Sequence, residues 1–578
     1  MTTTSQSSQT EPRGISRYLP ILQWAPKYER KWLRLDLIAG LTVAALVVPK
    51  SLGYAGIAGV PIQNGLYAAA AGAILYAIFG TSRQIATGPS SALAAVAAGA
   101  IIAAGVAAGS AEAVTLVASI TFVTGILFLL LALFRMGWIS QFLSKAVITG
   151  FLFGAAIEVV IGELPKITGT SIEGSNAWQK LFSWLQSLSE TDLATLVVGV
   201  LSLILIFGLR KVAPKAPGAL VLVIVGLIAS AVFNLGDLGV ALVGEVPRGL
   251  PSLVLPNLQY IFDNIAVIGA AAVGLLLIGF SQSAGDARAF ATKHKYRVDI
   301  NQESVAQGMA NVGSGVVQGI PVSASLSASS LNDTSGAKTP VSSLTTGVLV
   351  ILTLLFLAPL LSGLPKAVLA AIIIEAVVMG MMDVAEMRRL HRIARVDFWI
   401  AIAAILGVLG AGVLAGVLIG IVLSIFWLIY VSAAPHMPEL GRVPGTQVFR
   451  SIDEHPESET YPGLLVLRFD AGLFFASADA LVDRLRELVL PADPPLHTVV
   501  LDLEGVNFID SQGAETMDGL IGAATNFNVE LRLTRVKPEV LAMLRRDGII
   551  ERLGESQVYG NVYEAAADKI SDTPVKQE

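Results

Sequence analysis

Two short stretches, Thr87-Gly88-Pro89-Ser90-Ser91 and Gly319-Ile320-Pro321-Val322-Ser323-Ala324-Ser325, sit within long apolar sequence and read as extended chain running into a helix. Proline suits the first turn of such a helix, because its missing N–H would have no partner there anyway. A helix that starts inside a membrane aims unpaired N–H groups and a positive dipole end at one point. Two such starts facing each other make an anion site without any fixed positive side chain. Ser90, Ser91, Ser323, Ser325 and Ser327 would add hydroxyl donors to it. Small residues also let helices pack closely in a bilayer, and that is the competing reading.

The two stretches belong to a wider self-similarity. A spacing of 232 residues pairs Pro89 with Pro321, Ser91 with Ser323 and Ala92 with Ala324. The same spacing sets Lys50-Ser51-Leu52-Gly53-Tyr54-Ala55 against Gln282-Ser283-Ala284-Gly285-Asp286-Ala287. Between Asp36 and Ser432 the apolar segments number fourteen, near 37–57, 65–80, 90–107, 114–134, 138–161, 193–209, 218–235, 265–286, 302–318, 322–334, 342–362, 366–382, 397–410 and 411–432. The repeat divides them seven and seven, and an odd number per half inverts the second half.

Composition agrees with a membrane protein. Of 578 residues, 54% are hydrophobic and 14% charged, and the mean hydropathy is +0.69. Soluble domains carry about 25% charged residues. A net charge of −5 speaks against nucleic acid as a partner. The absence of cysteine excludes disulfides, thiolate metal sites and cysteine nucleophiles, and five scattered histidines offer no ligand spacing. No metal and no cofactor are expected. Residues 1–26 are polar, without the apolar core of a signal peptide, so a cytoplasmic N-terminus is expected.

Basic residues test this topology independently. Lys27, Arg30, Lys31 and Arg34 precede the first segment. The even-numbered gaps hold Arg83, Arg135, Arg210 with Lys211 and Lys215, Lys293 with Lys295 and Arg297, Lys338, and Arg388 through Arg395. The other gaps hold Glu112, Glu163, Glu190 and Asp237. Fourteen crossings with both ends inside follow. After Ser432, residues 433–462 read as a Pro-rich, charged linker. Residues 463–570 alternate strands (Leu464–Phe469, Thr498–Leu503, Val529–Thr534) with amphipathic helices (Ser477–Val489, Gly513–Asn526, Lys537–Arg545), the pattern of a small α/β layer domain. The expected divisions are therefore a cytoplasmic segment 1–35, a transport domain 36–432, a linker 433–462, an α/β domain 463–570 and a tail 571–578.

Lys50 lies fourteen residues beyond Asp36, about 21 Å along a helix and near mid-membrane. A lysine there is costly unless it faces a polar cavity or a partner. It reads either as an attractor for the anion or as a structural ion pair, with Asp286 the obvious candidate. Gln282 and Asp286 lie one helical turn apart, so they share a face. Asp286 can carry a coupling proton or can be a solvated charge at the end of its segment.

Three groups of motifs stand out: Pro49-Lys50-Ser51-Leu52-Gly53-Tyr54-Ala55 with Ala58-Gly59-Val60-Pro61 and Gly65-Leu66-Tyr67; Asn301-Gln302-Glu303, Gln307-Gly308 and Asn311; and Pro321 to Ser330 with Asn332 and Gly336-Ala337-Lys338-Thr339-Pro340. Together they resemble the sulfate permease (SulP) family of anion transporters. Pro435-His436-Met437 with Leu440-Gly441-Arg442 is similar to the family's linker. Residues 463–570, with Phe508-Ile509-Asp510-Ser511-Gln512-Gly513, resemble its cytoplasmic STAS domain.

The resemblance implies an α-helical polytopic fold of core and gate domains, built from two inverted seven-segment repeats. It implies an anion held between half-helices 3 and 10, which brings Lys50, Tyr54, Ser90, Ser91, Ser323, Ala324, Ser325, Leu326 and Ser327 into the anion site. An elevator-like motion, a homodimer in the cell membrane and a cytoplasmic partner at the STAS domain follow in the same way. Substrates of the family include sulfate, bicarbonate, chloride and dicarboxylates.

Three departures from the family's pattern bear on function. Lys50 stands where many members have glutamine, Ala328 where many have arginine, and Gln282 where many have a carboxylate tied to cation coupling. Lys50 is inferred to replace the positive charge absent at Ala328. Gln282 and Asp286 are the ion-coupling candidates, for H+ or Na+. Ser511 sits where bacterial STAS regulators are phosphorylated, and also suits a helix cap at Gly513. The expected function is secondary active transport of sulfate first and bicarbonate next, by symport or exchange. An uncoupled exchanger or channel-like conductor is the alternative, followed by a nucleobase carrier and a non-transporting receptor or motor. No nucleophile–base pair or phosphate loop is found, so no enzyme is expected.

Overall fold

The computed structural model describes residues 19–570, apart from 137–143, 175, 214–215, 245, 247–248 and 493. Residues 1–18, Lys215, the opening of the segment read at 138–161 and the tail at 571–578 lie outside the described residues. The chain forms two compact units, Met1–Ser424 and Ile425–Glu578.

Among the described residues, fourteen helices overlap the segments read from the sequence. The first seven are α1 (Leu33–Ile57), α2 (Gln63–Phe79), α3 (Ser91–Ala103), α4 (Ala111–Leu133), α5 (Lys145–Thr168), α6 (Leu193–Val212) and α7 (Gly218–Phe233). The second seven are α8 (Ile265–His294), α9 (Ile300–Val316), α10 (Leu326–Thr334), α11 (Val341–Leu352, prolonged by tighter and looser turns to Gly363), α12 (Lys366–Met381), α13 (Arg395–Ala411) and α14 (Val413–Ala433). Two amphipathic helices, Ala177–Gln186 and Val384–Ile393, lie between them. Eight helical stretches are long and apolar enough to cross a membrane by themselves. By contrast, α3 and α10 have only 13 and 9 residues. At 1.5 Å per residue they reach about 20 and about 14 Å, short of the ~30 Å hydrocarbon layer.

The helices pack as two bodies. In the first, α9 lies against α4 and α2, α11 against α1 and α2, and α8 against α4 and α3. In the second, α5 lies against α13 and α12, and α6 against α12. The bodies meet where α1 crosses α12 and α7. Close approach needs glycine at key points: a Cβ on Gly65 would lie 1.9 Å from the Ser51 carbonyl oxygen.

Buried carboxylates pin the loops of the first body. Asp36 in α1 accepts from the backbone N–H of Lys338 (2.7 Å) and Thr339 (3.1 Å), and from the Thr339 hydroxyl (2.7 Å). Glu303 in α9 accepts from the Tyr76 hydroxyl (2.5 Å), the Thr81 N–H (2.8 Å) and hydroxyl (2.5 Å), and the Ser82 N–H (3.1 Å).

The second unit is built on parallel strands β5 (Leu464–Arg468), β6 (Thr498–Asp502), β7 (Glu530–Thr534) and β8 (Val558–Tyr559), adjacent in that order. Helices α15 (Ala478–Val489), α16 (Ser511–Asn526) and α17 (Pro538–Arg546) connect them. Part of the stretch read as a linker is folded. Strands β3 (Leu440–Arg442) and β4 (Phe449–Ser451) pair antiparallel, and Leu440 and Phe449 enter a core with Tyr461, Val466 and Val500. Three-residue strands carry too little alternation to be read from sequence. The cap of α16 also differs from the expectation: Asp510 accepts from the Gly513 N–H at 2.8 Å, and Ser511 is the first helical residue, exposed.

Arg532 ties the end of this unit to its sheet. Its guanidinium donates to Asp568 (2.5 and 2.9 Å), Glu530 (2.7 Å) and the Ala565 carbonyl (2.5 Å). Its hydrogen bonds hold both carboxylates below their ordinary values of 3.8 and 4.5. The stabilisation is therefore complete above the ordinary carboxylate range and is lost as pH falls through the depressed folded values. Arg532→Met should lower the melting transition of this unit by about 2 kcal/mol at pH 7 and flatten its decline toward acid. Calorimetry of the full chain between pH 7 and pH 3 checks this, and an unchanged acid slope would contradict it.

Candidate anion site

The two stretches that open the sequence analysis meet in the middle of the first unit. Thr87–Pro89 (β1) and Val322–Ala324 (β2) pair antiparallel, with Thr87 opposite Ala324, Gly88 opposite Ser323 and Pro89 opposite Val322. Residues before proline are pushed toward extended backbone, which prepares both strands. The prolines do not occupy the first helical turns: Pro89 ends β1 and Pro321 precedes β2. Serines start the helices instead. Ser90 caps α3 by accepting from the Leu93 N–H (3.4 Å), and Ser325 caps α10 by accepting from the Ala328 N–H (3.5 Å). The caps stand 235 residues apart, so the true correspondence at the helix starts is three residues longer than the proline spacing. Capping leaves the first amides of each helix, Ser91 and Ala92, Leu326 and Ser327, outside these bonds.

Polar side chains from α9 and α8 hold the strand pair from behind. Asn311 donates to the Val322 carbonyl (2.9 Å) and accepts from its N–H (3.0 Å), and Gln307 donates to the Thr87 hydroxyl (3.0 Å). The Ser283 hydroxyl accepts from the Ala324 N–H (3.2 Å), and Ser329 accepts from the Ala86 N–H (2.9 Å). Backbone that is neither helix nor closed sheet survives at this depth only when such partners satisfy it.

In front of the strands is a small cleft lined by α1, the strand region, the start of α10 and α11. Of the residues singled out from sequence, Lys50, Tyr54, Ser325 and Ser327 line it. Ser325 and Ser327 form a hydroxyl pair at 3.3 Å. Ala328 lines it too, so the position where the family often has arginine faces the same space as Lys50. Ser90, Ser91, Ser323, Ala324 and Leu326 lie off the cleft: Ser91, Ser323 and Ala324 are buried, while Leu326 is exposed. The Ser323 hydroxyl donates to Gln282 Oε1 at 3.2 Å, which ties Gln282 to the strand pair and not to the cleft.

The ion pair suggested between Lys50 and Asp286 is not formed. Among the described residues, neither has an ion-pair partner within 4.0 Å, and Asp286 is half-buried near the C-terminal half of α8. The sequence reading also passed over Glu375. It is buried in α12 and paired with Arg210 of α6 at 2.6 Å, and its charge acts on both Lys50 and Tyr54. A carboxylate in the apolar run Lys366–Met381 was the available signal. Ser343 and Thr346 were missed as well. They line the cleft, but they donate to the carbonyls of Ile85 (3.2 Å), and of Gly40 and Ser342 (both 3.1 Å).

Two seven-helix halves that bring two capped helix starts together at mid-bundle define a multi-pass membrane transport protein. The chain belongs to the sulfate permease family, matching it over residues 33–404, and carries a STAS domain at residues 455–565. It is 34% identical over 542 residues to a probable sulfate transporter of Mycobacterium tuberculosis, which spans 93% of this chain and 96% of the relative. The fold is similar to that of the murine Solute Carrier 26 family member A9 anion transporter in the inward-facing state, with a TM-score of 0.88 at 22% identity, over 98% of this chain and 96% of that one. It is also similar to the transmembrane domain of a cyanobacterium bicarbonate transporter, BicA, with a TM-score of 0.59 at 23% identity, over 69% of this chain and 98% of that one.

Proposed function

We propose that the chain carries a small inorganic anion across the cell membrane by secondary active transport, sulfate first and bicarbonate next. The observation that carries this reading is the cleft itself, which gathers the Lys50 ammonium, the Ser325–Ser327 hydroxyl pair and the start of α10. An ammonium, hydroxyl donors and a helix start all favour negative charge, and none favours a cation. The sulfate preference rests on the named activity of the Mycobacterium tuberculosis relative. The distribution of basic residues supports a cytoplasmic position for both termini.

The two helical bodies suggest how the anion moves. The cleft belongs to the first body, and α12 of the second closes against α1 where Ile373 meets Gly53 and Gly56. Displacement of the first body along this smooth contact, in an elevator-like stroke, carries the anion without dismantling its ligands. A homodimer would anchor the second body, and the STAS domain is the surface for a cytoplasmic partner. H+ or Na+ is the coupling ion in a symporter, with Asp286, half-buried in α8 and without an ion-pair partner among the described residues, the candidate carboxylate. One observation favours an uncoupled exchanger or channel-like conductor for chloride or dicarboxylates: Gln282 is neutral and bonded to Ser323.

Uptake of labelled sulfate and bicarbonate into proteoliposomes, with imposed proton or sodium gradients, tests the proposal. Gradient-driven accumulation of one anion supports symport, and Asp286→Asn should then abolish the accumulation. Downhill flux indifferent to both gradients selects the exchanger or conductor. Absence of flux for every anion rejects transport.

A further inference from the structure

We infer that Glu375 and the transported anion compete for Lys50, and that Arg210 holds Glu375 aside when the anion is bound. The inference rests on the anion reading of the cleft. Its starting point is a count of charges: two cations face one buried carboxylate, and only one of them is paired with it. Glu375 is 7% exposed in an otherwise apolar stretch of α12, where an ionised group persists only with a partner. Arg210 supplies that partner through one oxygen, Oε1, at 2.6 Å. Among the described residues, Oε2 takes no hydrogen bond.

Lys50 is the second cation within electrostatic reach. The α1 and α12 helices touch so closely that a Cβ on Gly53 would lie 2.9 Å from Ile373 Cγ1, three residues from Lys50 and two from Glu375. Glu375 attracts the Lys50 ammonium across this contact, and Arg210 repels it. An ammonium in a low-dielectric cleft is costly when the cleft is empty. A tethered carboxylate at this place can neutralise it in the way a bound anion would. When an anion takes Lys50, Arg210 gives Glu375 an alternative pair.

The three residues are divided between the two bodies. Arg210 and Glu375 both lie in the second body and keep their spacing whatever the first body does. Lys50 rides the first body on α1, so any displacement between the bodies changes its distance from Glu375 while the Glu375–Arg210 spacing stays fixed. The pairing of Lys50 is thereby linked both to anion occupancy and to the position of the carrying body. In the present structure Glu375 is on Arg210, and Lys50 faces the cleft.

Equilibrium binding of labelled sulfate to the purified full chain, with bicarbonate and chloride as competitors, tests this. Glu375→Gln should tighten anion binding about 5- to 10-fold, because the internal competitor is gone. Arg210→Gln should weaken it by a similar factor, because Glu375 is freed to occupy Lys50. The double variant should bind as tightly as Glu375→Gln alone. In a Lys50→Gln background none of these shifts should remain. The chain has no native cysteine, so Lys50→Cys labelled with an ethylammonium methanethiosulfonate restores a positive charge in protein already folded. The effect of Glu375→Gln should then return, whereas a neutral reagent should not restore it. A merely structural ion pair would make Arg210→Gln and Glu375→Gln shift affinity in the same direction, and that result overturns the inference. Shifts that persist without Lys50 overturn it too. A wild type that binds none of the three anions removes the anion reading of the cleft, and this inference with it.

Discussion

Lys50→Met should weaken equilibrium anion binding by roughly 10- to 100-fold while leaving the protein as heat-stable as the wild type, or more so. The first half follows from the composition of the cleft. Lys50 is the single fully charged donor among the residues that line it, the other donors being hydroxyls and backbone amides. Several of those hydroxyls are already committed, Ser343 to Ile85 and Thr346 to Gly40 and Ser342. Close charge pairs in desolvated sites are worth on the order of 1.5–7 kcal/mol, so losing this one outweighs the helix-start contribution of about 0.3–2 kcal/mol. The second half follows because Lys50 has no ion-pair partner within 4.0 Å among the described residues, and removing an uncompensated ammonium from low dielectric relieves desolvation. Binding of labelled sulfate, measured beside thermal unfolding, checks both halves. Wild-type affinity in Lys50→Met would mean that the helix starts suffice and that Lys50 does not replace the charge absent at Ala328.

Glu303→Ala should be the most damaging of the single substitutions considered, costing about 3–5 kcal/mol of stability. Four donors converge on this carboxylate, from the Tyr76 hydroxyl, the Thr81 N–H and hydroxyl, and the Ser82 N–H. Alanine strands the donors of Tyr76 and Ser82, which are buried, and of Thr81, which is partly buried, and each buried unsatisfied donor costs about 1–3 kcal/mol. The effect reaches the cleft, because Ser82 also meets the Tyr296 hydroxyl at 2.8 Å and that hydroxyl donates to Gln84 at 2.9 Å. This network fixes the loop that leads into β1. Glu303→Gln is expected to be mild, since an amide oxygen can accept the three bonds made to Oε1 and the Tyr76 hydroxyl can turn to accept from the amide. Thermal unfolding in detergent distinguishes the two variants, and an alanine variant within a degree or two of wild type would show that the network carries little weight.

The membrane helices were legible because a bilayer demands long apolar runs, and arginines and lysines mark their ends. The half-helices were legible because proline, glycine and serine interrupt such runs only where backbone is satisfied by other means. Proline misled on detail. It marked the extended approach rather than the helix start, and the repeat counted from Pro89 and Pro321 is therefore three residues shorter than that counted from the caps at Ser90 and Ser325. Lys50, Tyr54, Ser325 and Ser327 line one cleft, whereas Ser90, Ser91 and Ser323 lie off it. A hydroxyl's direction depends on the turn that carries it, and spacing alone does not reveal that. The Arg210–Glu375 pair joins residues 165 positions apart, and no local pattern connects α6 to α12. In the second unit, strands of five residues were read and those of two or three were not.

The antiparallel pairing of β1 with β2 joins the two halves of the chain at one spot, and this bears on thermodynamic symmetry. Because each half contributes one strand to the same ladder, the ligands they present are fastened to each other rather than to opposite walls. In the elevator-like stroke proposed above, that ladder would keep one shape whichever side of the bilayer the site opens to, so any difference in dissociation constant between the two sides should come from the pairing of Lys50 with Glu375 and not from the strands. The ladder gives the carrier no built-in direction, and reversing the gradients across the membrane should run it backwards.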